Sequence, residues 1–374
     1  MRIGITCYPS HGGSGVLATE LGKKLAERGH KVHFITYEAP FRLNRYVSGV
    51  KVHEVNIPNY PLFRYPPYLM ALTNKMVEVA RYCSLDILHV HYAIPHATSA
   101  VLAREVLGPT GPRVVTTLHG TDVSLLGSDP GFFEVLNWSI KRSDGVTAVS
   151  RALADETVAS LPVGREIEVI HNFVDTAVYS RRPCQHLLAD LNCGELLVGH
   201  VSNFRPIKRP ADVLHIFAGL NELVPCQLVL VGEGPELPMV RELAAERGVA
   251  ERVHYLGRQD QVADVLSCLD LFLLPSENES FGLAALEAMA CGTPVLAYEV
   301  GGLGEVIVDG EGGFLLPLGD VAGMVRSGAE LLTDRTRWEA VSGAGVDRAR
   351  RLFDASRIVP QYEAYYARAL AAET

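Results

Sequence analysis

Two carboxylates with seven residues between them, Glu279 and Glu287, mark the stretch of this sequence that could do most chemistry. They lie in Pro275-Ser-Glu-Asn-Glu279-Ser280-Phe281-Gly282-Leu283-Ala-Ala-Leu-Glu287-Ala-Met-Ala-Cys-Gly292-Thr-Pro294. The apolar run Leu271–Leu274 reads as a strand that ends at Pro275. The spacing of Leu283, Leu286 and Ala290 reads as a helix that starts near Gly282. Gly292 and Pro294 supply its stop. A helix N-terminus offers unpaired N–H groups and the positive end of a dipole, which suits a phosphate. The carboxylates must then serve something else, and paired sugar hydroxyls can donate to them. A phosphate-and-sugar cradle is one reading. Ser280 as a helix cap, with Glu279 complementing the dipole, is the other. Local chemistry leaves both open.

Other constellations follow predicted strands. Tyr8-Pro-Ser-His-Gly12-Gly13-Ser14-Gly15 follows the first, and glycines there let a backbone approach an anion. Gly13-Ser14-Gly15-Val-Leu-Ala18 also fits a dinucleotide fingerprint, with Glu38 twenty residues beyond Ala18. The five residues between Cys7 and Gly13 make a longer turn than that fingerprint has. Thr116-Thr117-Leu118-His119-Gly120-Thr121-Asp122 puts His119 and Thr117 on one strand face; His119 can donate to a hydroxyl or sit as a satisfied core residue. His89-Val-His91-Tyr92 invites a metal reading, but no acidic or cysteine ligand nearby completes a set, so Tyr92 is the better ligand candidate. Arg205 and Lys208, in Ser202-Asn203-Phe204-Arg205-Pro-Ile-Lys208, can hold a diphosphate or form a solvated basic loop. Gly232-Glu-Gly234 and Gly257-Arg258 follow two further strands, where a flat base could pair with backbone.

The elements that must position these residues alternate regularly. Short apolar runs at Ile3–Cys7, Val32–Thr36, Val50–Val55, Ile87–Val90, Val114–Leu118 and Val146–Val149 read as buried parallel strands, with helical patterns between several of them. The alternation restarts at Leu196–Val201 and continues through Leu228–Val231, Val253–Leu256, Leu271–Leu274 and Val295–Ala297. Residues 171–195 lack periodicity and read as a linker. Residues 334–370 read as helical, with no strand after them. The expected fold class is α/β: two doubly wound, Rossmann-like domains facing a cleft, over 1–172 and 173–353. The aromatic stretch 59–68 reads as a loop over the cleft.

Bulk properties exclude several classes. A chain of 374 residues with a net charge of -9 is a poor nucleic-acid binder. Seven cysteines without CxxC spacing favour neither a disulfide frame nor a zinc site. No apolar run approaches a membrane span and no leader pattern opens the chain. A soluble, reduced, cytoplasmic protein without stable membrane attachment is expected, and a homo-oligomer is compatible with the sequence.

Taken together, these motifs resemble the retaining GT-B glycosyltransferases of family 4, whose E-x7-E signature matches Glu279–Glu287. The likeness covers nearly the whole chain. Through Gly12-Gly-Ser-Gly15, Pro40-Phe-Arg42-Leu-Asn44, His91-Tyr92-Ala-Ile-Pro-His96, Thr116–Asp122 and Ser202–Arg205 it narrows to the branch that joins N-acetylglucosamine to L-malate in bacillithiol formation. The resemblance implies UDP-N-acetylglucosamine as donor, L-malate as acceptor, and a terminal helix, about 354–374, crossing back to the first domain. It implies that Glu279 contacts the donor sugar, Glu287 the ribose, and Ser280, Phe281, Gly282 and Leu283 the sugar and phosphate. Arg205 and Lys208 would bind the diphosphate, Gly13 would touch it, and His119 would meet the 6-hydroxyl side of the sugar. Ser14, Tyr92, Thr117 and Arg42 would serve the acceptor carboxylates. Asn203 and Arg258 would line the donor side, although many family members carry Gly-Arg-Leu where this chain has Ser202-Asn203-Phe204, so no arginine role passes to Asn203. The nucleotide sugar is a substrate, no cofactor is implied, and without a D-x-D near a strand end no obligatory metal is expected. Two rivals remain: a family 4 enzyme with an inositol phosphate or lipid acceptor, and a nicotinamide-dependent oxidoreductase built on Gly13–Ala18 and Glu38.

Overall fold

The computed structural model describes residues 1–10, 12–43, 46–57, 62, 64–124, 127, 129–184 and 195–372. Asn44, residues 58–61 and 63 of the aromatic stretch, and residues 185–194 of the expected linker lie outside them. The chain divides into two compact units, Met1–Asn172 with Ile358–Thr374, and Phe173–Arg357.

The first unit is built on a seven-stranded sheet. Its strands are β1 (Arg2–Thr6), β2 (Lys31–Thr36), β3 (Val50–Glu54), β4 (Ile87–His91), β5 (Arg113–Leu118), β6 (Gly145–Ala148) and β7 (Glu168–Val169). They are ordered β3-β2-β1-β4-β5-β6-β7, and neighbours run parallel. The central strands are buried along their length, as continuous apolar runs covered on both faces require. The helix Gly13–Glu27 lies against this sheet at Gly22, where a Cβ would stand 2.4 Å from the Phe34 ring. The terminal helix Ala355–Ala371 brings Tyr362 and Tyr366 into the core of the unit, both fully buried. Arg28 and His30 clasp Glu363 of that helix at 2.7–2.9 Å.

The second unit repeats the plan with β8 (Leu196–Val201), β9 (Cys226–Val231), β10 (Val253–Gly257), β11 (Leu271–Leu274), β12 (Val295–Tyr298), β13 (Val308–Asp309) and β14 (Gly312–Leu316). The order is β10-β9-β8-β11-β12-β14-β13. Strand β14 escapes the apolar pattern because Gly312 and Gly313 open it, and a Cβ on Gly313 would stand 2.1 Å from the Val295 carbonyl oxygen. The helical stretch over 334–370 comprises two helices, Arg335–Phe353 and Ala355–Ala371. They part at Asp354, whose carboxylate accepts from Thr176 and from the Ser356 N–H. The cysteine expectation also needs correction, since Cys184 and Cys268 pair as a disulfide across 84 residues of sequence. Among the described residues no helix is long and apolar enough to cross a membrane.

Candidate active site

In each unit the residues singled out by sequence gather where strands end. In the second unit β11 delivers Pro275 and Ser276, and the chain then turns into the helix Leu283–Ala290. Gly282 stands at the N-cap with φ 91°, a left-handed conformation, and a Cβ there would lie 2.3 Å from Leu303. The turn therefore demands glycine. Phe281 is buried against the Phe353 ring at 5.6 Å and anchors the loop. Ser280 makes no side-chain cap to this helix, so the capping reading of that residue is not what the structure holds.

Glu279 is held rather than free. Its Oε1 accepts from Lys208 Nζ at 2.6 Å and from Ser276 Oγ at 2.8 Å. Its carbonyl accepts from Gly302 N–H at 2.8 Å, while Glu277 N–H donates to the Ile207 carbonyl at 2.8 Å. These bonds tie the acidic loop to the short turn Pro206–Lys208. Lys208 thus meets a carboxylate directly, where the sequence suggested only a phosphate. Arg205 is exposed and makes no ion pair among the described residues. Asn203 is exposed, and its carbonyl lies so close to the next loop that a Cβ on Gly234 would be 1.9 Å away. Arg258 is exposed and pairs with Glu233 at 2.8 Å. Glu287, one side-chain turn and more along the helix, is buried, and its Oε1 accepts from Tyr179 O–H at 2.5 Å. Sequence reasoning missed Tyr179 and Ser276. Ser276 was in plain view three residues before Glu279, but Tyr179 lies 108 residues from Glu287 and had no local signal.

In the first unit Gly13 opens the helix Gly13–Glu27, and no acid occupies its first turn. Gly13 is exposed and Ser14 half-buried. A Cβ on Gly15 would stand 2.5 Å from the Tyr8 carbonyl, so that glycine serves the packing of its own loop. Tyr92 has φ 81° and its N–H donates to the Thr117 carbonyl at 3.0 Å. Its ring stacks on His119 at 5.3 Å, and Tyr8 meets it edge-on at 5.3 Å. His119 Nε2 and His91 Nδ1 share a hydrogen bond of 2.9 Å. Burial, with His96 adding to it, lowers the His119 pKa to about 3, so the ring is neutral at pH 7. Behind it, Asp122 is fully buried and accepts backbone N–H groups of His119, Gly120 and Ala93 at 2.9–3.2 Å. Burial raises its pKa to about 6 against those hydrogen bonds.

Thr117 needs a different role from the one expected. Its side chain is fully buried in β5, and its hydroxyl bonds His89 Nε2 and Thr147 Oγ1, each at 2.7 Å. His89 in turn meets Tyr366 O–H at 2.7 Å. Thr117 therefore offers no exposed atom to a ligand and braces the strand end from inside. Arg42 has φ 69° and lies 5.7 Å over the Phe41 ring. His91 and Asp122 were not chosen from sequence as working residues. His91 meets His119 because β4 and β5 pair with His91 opposite Thr117, whereas Asp122 lies three residues after His119 and accepts its N–H locally.

Comparison with known proteins shows the family and the fold. The model of Glycosyltransferase Family 4 matches residues 11–178, and that of Glycosyl transferases group 1 matches residues 190–345. The chain is 46% identical over 368 residues to the N-acetyl-alpha-D-glucosaminyl L-malate synthase of Bacillus anthracis, covering 98% of this chain and 96% of that one. It is 30% identical to a D-inositol 3-phosphate glycosyltransferase of Stackebrandtia nassauensis, over 91% of this chain and 83% of that one. Anabaena HepE in complex with UDP-glucose superposes with a TM-score of 0.84 at 22% identity, covering 98% of this chain and all of that one.

Proposed function

Since the chain belongs to glycosyltransferase family 4 and has the two parallel sheets of the GT-B fold, we propose that it moves N-acetylglucosamine from UDP-N-acetylglucosamine to the hydroxyl of L-malate. The product is the α-glucosaminyl malate, the first intermediate of bacillithiol formation. The observation that carries the reading is the near full-length likeness to the Bacillus anthracis malate synthase. The site chemistry supports it: a buried carboxylate at Glu287 for ribose hydroxyls, a positioned carboxylate at Glu279 for the sugar, and cations at Arg205 and Lys208 for the diphosphate. The same assignment leaves the dinucleotide reading of Gly13–Ala18 without support.

In this reading the α configuration is retained by substitution on one face of the sugar. The bond from C1 to the diphosphate oxygen breaks, the bond from C1 to the malate oxygen forms, and the malate hydroxyl proton passes to the departing diphosphate. The transition state is oxocarbenium-like and no side chain is the nucleophile. Arg205, Lys208 and the N–H groups opening the helix Leu283–Ala290 stabilise the charge growing on UDP. Phe281, Gly282 and Leu283 shape that end, Ser280 faces the sugar, Asn203 and Arg258 line the uridine side, and Gly13 meets the diphosphate. His119, neutral, donates to the sugar's 6-hydroxyl side. Ser14, Tyr92 and Arg42 hold the malate carboxylates, with Thr117 as support from behind.

Single-turnover reaction with UDP-N-acetylglucosamine and L-malate, read by NMR, tests the scheme. An α-anomeric malate glycoside is expected. A β-linked product would overturn the stereochemical scheme, and UDP release faster with an inositol phosphate or a lipid acceptor than with malate would overturn the acceptor.

A further inference from the structure

Away from the strand ends that carry these motifs, three side chains with metal-binding atoms converge in the first unit. They are His33 on β2, His53 on the edge strand β3, and Cys83, the last residue of the helix Tyr68–Cys83. The parallel register sets Ile35 opposite His53 and His33 opposite Lys51, so the two histidines are diagonal neighbours on one sheet face. Ile35 on that face packs with Leu72, Met76 and Ala80 of the helix, which brings the helix end over the histidines. Ser84, with φ 50°, closes the helix and fixes where Cys83 points.

His33 Nδ1 and His53 Nε2 lie 2.9 Å apart, with the rings stacked at 5.1 Å. Only one of these nitrogens can carry a proton in such a contact, so at least one lone pair is aimed into the space between them. All three ligand atoms lie within 4.8 Å of one another. A tetrahedral zinc ion with nitrogen and sulfur ligands needs atoms roughly 3.3–3.7 Å apart, from bond lengths of about 2.0–2.3 Å. The cluster reaches that with shifts of about 1 Å. His33 is buried, whereas His53 and Cys83 are half-buried, which leaves an entry path and a fourth position for water. Two imidazoles and one thiolate form a borderline-soft set suited to zinc. The C-terminal end of a 16-residue helix adds a negative dipole end that favours a cation. The surroundings are mixed: Lys51 and Lys75 disfavour added positive charge and Glu78 favours it.

We propose that His33, His53 and Cys83 bind one zinc ion, which pins the exposed edge strand β3 to the end of the helix Tyr68–Cys83. Binding transfers no electron and releases one proton, from the Cys83 thiol, while each imidazole keeps its proton on the nitrogen facing away. The three ligands belong to β2, β3 and the helix Tyr68–Cys83, none of which supplies a residue to the proposed transfer site, so the ion is structural and takes no part in the transfer.

Cobalt(II) titration of the metal-stripped full-length chain tests this, because a cobalt–thiolate bond gives a near-ultraviolet charge-transfer band. The expected result is a band saturating at one cobalt per chain, displaced by zinc, with a thermal midpoint raised by zinc. Cys83→Ser should abolish the band and His53→Gln should weaken zinc binding at least tenfold. Absence of saturable binding in the wild-type chain, or a band that persists in Cys83→Ser, would overturn the proposal. Both variants alter half-buried side chains, and circular dichroism checks that each is folded.

Discussion

Glu279 Oε1 takes two hydrogen bonds, one from a lysine ammonium and one from a serine, before any substrate is present. Lys208 and Glu279 are largely shielded, at 22% and 12% side-chain exposure, so this pair is a stronger restraint than an open surface ion pair. It holds the carboxylate in place, and under the proposed function Lys208 would turn from carboxylate to phosphate when a diphosphate binds. Glu279→Gln keeps the shape and removes the charge. Turnover should fall about 100-fold or more, the size of a lost electrostatic contact in a transition state, while UDP affinity stays within about threefold. Single-turnover rates and UDP calorimetry measure the two; loss of UDP binding would move Glu279 to the nucleotide. Asp122 makes a second test. Asp122→Asn turns one accepting oxygen into a donor against N–H groups that already point at it, for about 1–3 kcal/mol. The midpoint should drop by several degrees in a thermal melt, whereas an unchanged midpoint would mean that those N–H groups find other partners. The legible part of the site is the part written in a row: Glu279, Ser280, Gly282 and Glu287 sit in one loop and one helix. His91 acts through pairing of β4 with β5, and Tyr179 through a contact over 108 residues, so nothing local announces them, whereas Asp122 lies three residues after His119 in the same motif. The resemblance implied an acceptor contact for Thr117, and strand period gives a face but not whether that face is exposed. Its hydroxyl is enclosed by His89 and Thr147.

The helix Leu283–Ala290 depends on a turn that only glycine fits. At Gly282 both φ and space exclude a side chain, and at Gly301 a Cβ would stand 2.1 Å from the Glu279 carbonyl oxygen. Gly282→Ala should therefore cost about 2–3 kcal/mol, from a positive φ and the displacement of Leu303. It should also weaken UDP binding severalfold, because the first N–H groups of the helix move with the turn. Melting and UDP titration of the same sample check both. A lower midpoint with unchanged UDP affinity would detach this helix end from the nucleotide. The turn's glycine and the helix stop at Gly292 were readable, as were the central strands, since strands buried on both faces leave continuous apolar runs. The edges were not. β7 and β13 have two residues each and β14 begins with two glycines, too little side chain for a pattern. The helix boundary at Asp354 is made by a carboxylate that holds Thr176 and Ser356.

Over the whole molecule, the folded chain keeps several histidines neutral that the unfolded chain would protonate. Burial lowers His89 to about 3, and His96 and His200 to about 4. Their unfolded value is near 6.5, so in the window between about 4 and 6.5 the unfolded chain binds protons that the folded chain refuses. Stability present above pH 6.5 is therefore lost as the pH falls through that window. For His89 and His96, which are fully buried, the loss at pH 5 is about 2 kcal/mol each, at 1.36 kcal/mol per pH unit. Asp122 acts in the opposite sense. Its folded value near 6 exceeds the usual 3.8, so it favours the folded state as the pH falls. At pH 5 it returns about 1 kcal/mol, less than the two histidines take. The thermal midpoint should accordingly fall by several degrees from pH 7.5 to pH 5. The same titration moves the net charge up from -9 toward zero, which promotes association, so light scattering at each pH must separate aggregation from unfolding. A midpoint that stays flat across the window, in samples that remain clear, would mean that the buried imidazoles accept protons inside the fold.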